Sequence, residues 1–91
     1  MENEIVIYIT PYTFSYKGCD VTIWGVKRFD LPTGERRYLV SLQLEWRNYR
    51  SKQFILEVSD SEELRYKLDL EIARMKISIL TGRTAPFTRI R

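Results

Sequence analysis

The sequence predicts an α+β protein in which a four-stranded antiparallel meander is followed by one long C-terminal helix, in the order β-β-β-β-α. Four runs rich in β-forming residues precede residue 59, and only short turn-like segments separate them. Such connections favour antiparallel pairing, because a parallel crossover needs about a dozen residues or more. Residues 59–80 then carry apolar residues at helical spacing. A chain of 91 residues has room for one domain, which we place at residues 1–82, with a basic tail over residues 83–91.

The first two runs form the opening hairpin of the predicted meander. In EIVIYIT isoleucine stands at every second position, Pro11 interrupts the run, and residues 12–16 resume it. A proline inside such a run favours an edge strand or a bend. After the turn-forming sequence KGCD, the second run is VTIWGVKRF, residues 21–29. Its Gly25 predicts a β-bulge.

The third run is the clearest strand. The loop DLPTGE leads into it, and Gly34 can adopt the left-handed conformation that closes a hairpin. RRYLVSLQLEWR then alternates with period two, which indicates one buried face and one wet face. The apolar face contains Tyr38, Val40, Leu42, Leu44 and Trp46. The polar face contains Arg37, Ser41, Gln43, Glu45 and Arg47. After the turn NYRS, the fourth run is KQFILEV, with Phe54, Leu56 and Val58 on its buried side.

The segment SDSEELRYKLDLEIARMKISIL, residues 59–80, predicts a helix with two apolar faces. Ser59 with Glu62 three residues later fits a capping box, and Gly82 stands where a C-terminal cap is expected. At about 100° per residue, one apolar stripe contains Leu64, Leu68, Ile72, Met75 and Ile79. A second stripe, which we call the outer stripe, lies nearly opposite and contains Tyr66, Leu70, Ala73, Ile77 and Leu80.

The outer stripe needs a cover. A helix that lies on one sheet needs only one apolar stripe, and soluble monomers rarely expose an apolar patch of several hundred Å². The cover is either a second subunit or the chain's own first strand or tail. The leading interpretation is a homodimer built on the outer stripe, since closed two-fold pairing is the commonest form of self-association.

The composition argues against several classes of function. The chain has no histidine and one cysteine, Cys19, so the usual general bases, metal ligands and nucleophile–base pairs are missing. We therefore expect a protein that is not an enzyme and that holds neither a cofactor nor a metal.

The sequence also bears on location. The acidic start MENEIVIYIT is unlike a signal peptide, and no apolar run approaches the roughly 20 residues of a membrane span. A lone cysteine suits a reducing compartment. These features predict an intracellular, cytoplasmic protein with no membrane partner.

Basic and aromatic residues predict a nucleic-acid surface. The net charge is +3, and most of the basic residues are arginine, which suits bidentate phosphate contacts. One basic cluster flanks the DLPTGE loop and contains Lys27, Arg28, Arg36 and Arg37. A second cluster, about 34 Å away along the third strand, contains Arg47, Arg50 and Lys52. Trp24 and Tyr49, with Tyr8, are the predicted stacking platforms between the clusters. A single strand of DNA or RNA across the sheet would place phosphates on the clusters and bases on the rings.

The β-β-β-β-α order with a two-faced helix resembles the positive-cofactor-four transcriptional coactivators and, more distantly, the Whirly proteins. The likeness covers YKGCDVTIWGVKRFDLPTGERRYLVSLQ and the helix, and it is one of topology and turn placement. Both families hold single-stranded DNA on sheet surfaces, so the resemblance implies the same use of the sheet in this chain.

A second resemblance covers WGVKRF, GERRYLVSL and SDSEEL. This pattern is similar to the three-stranded-sheet-plus-helix DNA readers of the plant Apetala type and to the arm-binding domains of tyrosine recombinases. In those domains the sheet enters the major groove, and the resemblance implies Arg28, Arg37 and Arg47 as contacting residues. The chain departs from them before the helix, where FILEVSD replaces the usual Leu-Gly-Thr.

Two alternatives stay open. The protein could instead be a small protein-interaction module, for instance a viral or phage-like accessory protein that binds a host protein through the outer stripe or the tail. The absence of histidine, the low alanine content and the many isoleucines and arginines fit a small viral or heat-adapted source. The tail, TGRTAPFTRIR, is either a flexible basic arm or a docked extra strand.

Overall fold

A computed structural model describes residues 3–7 and 11–90, with side chains described from residue 11 onward. In these residues seven strands form one antiparallel sheet, and one helix lies on one of its faces. The strands are β1 (Asn3–Ile7), β2 (Tyr12–Tyr16), β3 (Cys19–Asp30), β4 (Arg36–Trp46), β5 (Tyr49–Arg50), β6 (Phe54–Val58) and β7 (Thr88–Arg89). The helix, α1, spans Ser61–Leu80. The predicted α+β class is confirmed.

The predicted number of strands, four, is wrong. The long strands β3 and β4 pair with each other at the centre of the sheet, and each has two short strands along its other side. β1 and β2 pair with successive parts of β3, while β5 and β6 pair with successive parts of β4. The first predicted run therefore becomes two edge strands on either side of Pro11, which has no N–H to donate to a ladder.

Tight turns set the register of two hairpins. Lys17 and Gly18 join β2 to β3 with φ of 52° and 74°, and Arg47 and Asn48 join β4 to β5 with φ of 49° and 67°. Positive φ at both central residues is the requirement of a type I′ turn, whose twist matches that of paired strands. Gly34, with φ of 88°, closes the β3–β4 hairpin as predicted.

The predicted bulge lies in β3. Ile23 pairs with Leu42 and Gly25 pairs with Ser41, so Trp24 is the extra residue between them. The bulge changes which residues of β3 face the helix, from odd numbers before it to even numbers after it. As a result Val26 stays on the apolar side.

The core lies between the sheet and α1. Its buried residues come from β3, β4, β6 and α1 and are Cys19, Val21, Val40, Leu42, Leu44, Val58, Leu68, Ile72 and Met75. The alternation predicted for β4 and β6 supplies four of them, and the predicted inner helix stripe supplies three. Burial raises the pKa of the Cys19 thiol above its ordinary value, since the thiolate would lose its hydration.

The start of α1 differs from the prediction by one residue. Asp60 is the N-cap, and its side chain accepts a hydrogen bond of 2.8 Å from the backbone N–H of Glu63. The backbone N–H and hydroxyl of Ser59 both donate to the Glu63 carboxylate, at 2.6 and 2.9 Å. The predicted pair of Ser59 and Glu62 is therefore wrong. These bonds lower the pKa of Glu63 because they favour its charged form.

The end of α1 returns the chain to the sheet. The C-cap is Thr81, and Gly82 follows it with φ of 81°. The N–H of Arg83 bonds the carbonyl of Ser78 at 2.7 Å, which completes a Schellman motif. No helix among the described residues is long and apolar enough to cross a membrane.

The tail is docked. Phe87 packs against the core, β7 pairs with β5, and the N–H of Ile90 bonds the carbonyl of Asn48 at 2.7 Å. Of the two alternatives for residues 83–91, the extra strand is the one observed for the part of the tail that is described.

Candidate functional site

The sheet has one face covered by α1 and a second face, opposite α1, which we call the open face. Paired residues of neighbouring antiparallel strands share a face. Val40 and Leu42 of β4 are buried under the helix, so the residues that alternate with them, Leu39 and Ser41, are on the open face. The register therefore places two rows there, which are Gly25–Ser41–Ile55 and Lys27–Leu39–Glu57.

Trp24 is a fixed aromatic surface on the open face. Its side chain is 41% exposed, and its Nε1 donates to the Oε1 of Gln43 at 3.1 Å. The amide of Gln43 in turn donates to the carbonyl of Ser51 at 3.0 Å. Two hydrogen bonds in series thus hold the indole in one orientation while its ring meets solvent.

Two residues with small side chains lie next to Trp24 on the open face. Gly25 and Ser41 are register partners with small side chains, and a Cβ built on Gly25 would meet no atom within 4 Å. Across the strands, Ile55 is the partner of Ser41 and is 64% exposed. Trp24 and Ile55 are thus two exposed apolar side chains near the small residues Gly25 and Ser41.

The basic cluster near the DLPTGE loop is divided between the two faces. Lys27 is exposed on the open face, and Arg37 belongs to the same face. Arg28 pairs with Tyr38 on the helix side, where it is half-buried. Arg36 is on the helix side as well, with its Nε 3.4 Å from the Asp30 carboxylate. The four residues do not form one phosphate-binding surface.

Arg37 is enclosed by carboxylates. Its guanidinium lies 3.2 Å from Glu57, 3.4 Å from Glu35 and 3.6 Å from Glu63, and its side chain is only 18% exposed. Burial alone would lower the pKa of Arg37, but the hydrogen bond to Glu57 and the three negative charges raise it. Its positive charge is offset within the chain, so Arg37 ties the sheet to the start of α1.

The second basic cluster is also dispersed. Arg50 makes a two-pronged contact with Glu45, with its Nε and a terminal nitrogen at 2.8 and 2.7 Å from one carboxylate oxygen. Lys52 is exposed in the segment between β5 and β6. Tyr49 is half-buried and packs against the core on the helix side, so it does not share a face with Trp24. Tyr8 lies outside the described residues.

Arg47 belongs to a cation cluster that the sequence did not reveal. Its guanidinium lies 4.5 Å from the centre of the Trp46 ring, and the ammonium of Lys76 lies 5.5 Å from the same ring. Lys76 also donates to the carbonyl of Lys17 at 2.6 Å. The sequence shows only that Trp46 and Arg47 are neighbours. Lys17 and Lys76 belong to other elements, so their place in this cluster is visible only in the fold. The second resemblance implied three contacting residues, which are Arg28, Arg37 and Arg47. In the fold they lie in three different places and do not form one surface.

The outer stripe is bare in the single chain. Tyr66 is 65% exposed, Leu70 44%, Ile77 62% and Leu80 63%, and Ala73 is exposed as well. The inner stripe, in contrast, is buried at its centre, from Leu68 to Met75. Among the described residues no element covers the outer stripe: the first strand, β1, pairs with β3, and the tail strand, β7, pairs with β5.

An apolar groove of about 410 Å³ lies between the start of α1 and the helix side of the sheet. It is lined mainly by Ile23, Val26, Tyr38, Val40, Val58 and Leu64. The Asp60 carboxylate at its rim already caps the helix. Within the described residues, no group of three His, Cys, Asp or Glu side chains is placed to hold a metal ion.

Comparison with protein-family models, with curated proteins and with solved structures finds no match to this chain.

Proposed function

We propose that the protein is a non-catalytic, intracellular nucleic-acid-binding protein that holds single-stranded DNA or RNA on the open face of its sheet. The observation that supports this most is the Trp24 ring, which is 41% exposed and oriented by its hydrogen bond to Gln43. A ring fixed before binding loses little freedom when a base stacks on it. Such stacking contributes about 1–3 kcal/mol per base.

The small residues beside Trp24 support a base as the ligand. A Cβ built on Gly25 meets no atom within 4 Å, and its register partner Ser41 has a small side chain, so neither blocks access to the indole. The Ser41 hydroxyl offers a donor and an acceptor for the edges of a base. Ile55, the exposed register partner of Ser41, offers an apolar contact to the same base.

Phosphate contacts fall to fewer residues than the sequence suggested. Lys27 lies on the open face and already has an interaction within the chain, and Lys52 is exposed. Arg37 and Arg50 are engaged by carboxylates, and Arg28, Arg36 and Arg47 lie away from the open face. Stacking therefore supplies most of the affinity. Each phosphate neutralised on a single strand contributes about −0.7 to the slope of a plot of log affinity against log salt.

The test is a titration of labelled single-stranded DNA and RNA with the protein, followed by fluorescence anisotropy between about 50 and 200 mM salt. We expect binding to both single strands with a shallow salt slope, and weaker binding to a duplex whose bases are already stacked. Absence of binding at the lowest salt would contradict the proposal.

A second candidate is favoured by a different observation. The four large apolar side chains of the outer stripe are each at least 44% exposed, which fits the alternative of a protein-interaction module. Since the tail is docked as β7, the outer stripe is the surface on which that alternative depends. An Ile77→Glu variant separates the two functions, because it changes the outer stripe and leaves the open face intact.

A further inference from the structure

We infer that the outer stripe is the interface of a two-fold symmetric homodimer in which the α1 helices of two copies pack antiparallel and cross at Ala73. The partner is a second copy of this chain. The inference goes beyond the proposed function and does not depend on it, because the outer stripe and the open face are on opposite sides of the molecule.

The spacing of the outer stripe is self-complementary. Tyr66 and Leu80 lie seven residues before and after Ala73, while Leu70 and Ile77 lie three before and four after it. In an antiparallel pair centred on Ala73, Tyr66 of each copy would face the partner's Leu80. Leu70 would face the region of the partner's Ile77. Each bulky residue of the outer stripe would therefore contact an apolar residue of an identical helix.

The residue at the crossing point allows a close approach. Ala73 is exposed and has the smallest side chain of the outer stripe. A small residue at the crossing favours the shorter end of the usual range of about 8–10 Å between helix axes. Antiparallel packing also places the positive end of each helix dipole beside the negative end of the other, whereas parallel packing aligns like ends.

The charges on the flanks agree with the antiparallel orientation. In such a pair, equivalent flanks of the two helices face each other. Asp69 is four residues before Ala73 and Lys76 is three after it, on the same flank. Asp69 of each copy therefore comes near the partner's Lys76, twice by symmetry. Both groups also have partners in their own chain: Asp69 is bound by Tyr16 and Lys17, and Lys76 donates to the carbonyl of Lys17. On the other flank, Arg74 already pairs with Glu71 at 3.1 Å, which reduces the repulsion between the two copies of Arg74.

The available area is sufficient for a small dimer. From the exposed fractions of its residues, the outer stripe offers on the order of 500 Å² per chain. With the outer stripe fully covered, two copies bury at most about 1,000 Å² in total, which is the lower bound expected of a biological interface.

Disulfide trapping tests the orientation. In a Cys19→Ser background, Ala73→Cys should form a covalent dimer on mild oxidation, since the two-fold axis passes beside residue 73. Tyr66→Cys alone should not, because antiparallel packing separates the two copies of this position by about 21 Å, or 14 residues of rise. Tyr66→Cys combined with Leu80→Cys should restore cross-linking. Efficient cross-linking of Tyr66→Cys alone would indicate parallel helices and overturn the inference.

Light scattering tests the dimer itself with a matched pair of variants. Ile77 and Ile55 are 62% and 64% exposed, the first on the outer stripe and the second on the open face. We expect the unmodified chain and Ile55→Glu to have twice the chain mass of 10.9 kDa, and Ile77→Glu to have the chain mass. Circular dichroism checks that both variants fold.

The inference would be overturned if the unmodified chain were monomeric at 100 µM, a concentration on the order of 100 times a micromolar dissociation constant. That result would favour a different protein as the partner of the outer stripe. Oligonucleotide binding is measured separately, so failure of the dimer leaves the nucleic-acid proposal standing.

Discussion

The hydroxyl of Tyr16 donates a hydrogen bond of 2.8 Å to the carboxylate of Asp69, which joins β2 to α1 across 53 positions of sequence. The ammonium of Lys17 lies 3.2 Å from the same oxygen. The hydrogen bond lowers the pKa of Asp69, because it favours the ionised carboxylate, and raises the pKa of Tyr16, because the neutral phenol is the donor.

This contact predicts how stability depends on pH. The pKa of Asp69 in the folded state is below its ordinary value of 3.8, so its contribution is complete above that value and is lost as the pH falls through the folded-state pKa. The pKa of Tyr16 is above its ordinary value of 10.0, so its contribution is complete below 10.0 and is lost as the pH rises through the folded-state pKa.

We expect Tyr16→Phe to lower the Tm at neutral pH, with the difference shrinking in acid and in alkali. Tyr12→Phe, at a position 60% exposed in the same strand, is the control. A Tm difference that stays constant with pH would contradict the assignment.

The N-cap of α1 gives a second prediction. Asp60→Ala should lower the free energy of unfolding by about 1 kcal/mol, as loss of a capping side chain does. Asp60→Ser should retain most of the stability, since a serine hydroxyl can accept the same bond from the N–H of Glu63. Urea unfolding measures both variants. A larger loss from Ser59→Ala than from Asp60→Ala would identify Ser59 as the true cap.

Two glycines give a matched pair. Gly18 has φ of +74°, a conformation that costs an L-residue about 1–2 kcal/mol, so Gly18→Ala should destabilise the fold by that amount. Gly25 has no such φ and no neighbouring atom within 4 Å of a built Cβ. Gly25→Ala should therefore leave stability unchanged or raise it by up to about 1 kcal/mol. Equal effects in thermal unfolding would show that the β2–β3 turn has a different backbone conformation.

Trp24 gives the most direct prediction for the proposed function. Trp24→Ala should weaken oligonucleotide binding by about 5- to 150-fold, which is the loss of one stacked base. Gln43→Leu should have a smaller effect, because the ring remains but loses the hydrogen bond that orients it. Arg36→Ala, on the helix side of the sheet, should bind as the unmodified chain does. If Arg36→Ala loses affinity and Trp24→Ala does not, the ligand lies on the other face.

Much of the fold could be predicted from residue periodicity. The alternation in residues 36–47 placed Val40, Leu42 and Leu44 in the core, and the helical spacing separated buried Leu68 from exposed Leu70. These patterns are local and strong. The N-cap was missed by one residue because Ser59, Asp60 and Ser61 are all good caps, and tertiary contacts decide among them.

The site was harder to predict because long-range pairing decides which charges are available. The sequence shows Arg37 as one of four adjacent cations. In the fold it meets Glu57, Glu35 and Glu63, which belong to three different segments. The bulge at Trp24 also changes the faces of the residues that follow it in β3, and this placed Arg28 on the helix side. The number of basic residues therefore predicted a larger electropositive surface than the fold provides. The position of the outer stripe, in contrast, followed directly from helical spacing.

The docked end of the chain fixes an exit point. The Schellman motif at Gly82 sends the backbone back along the sheet, and Ile90 is held to Asn48 by a backbone hydrogen bond of 2.7 Å. Any polypeptide that continues past this residue leaves from a strand beside the β4–β5 turn. A tether, dye or fused domain attached there would have its position set by the sheet, which makes this end suitable for distance measurements.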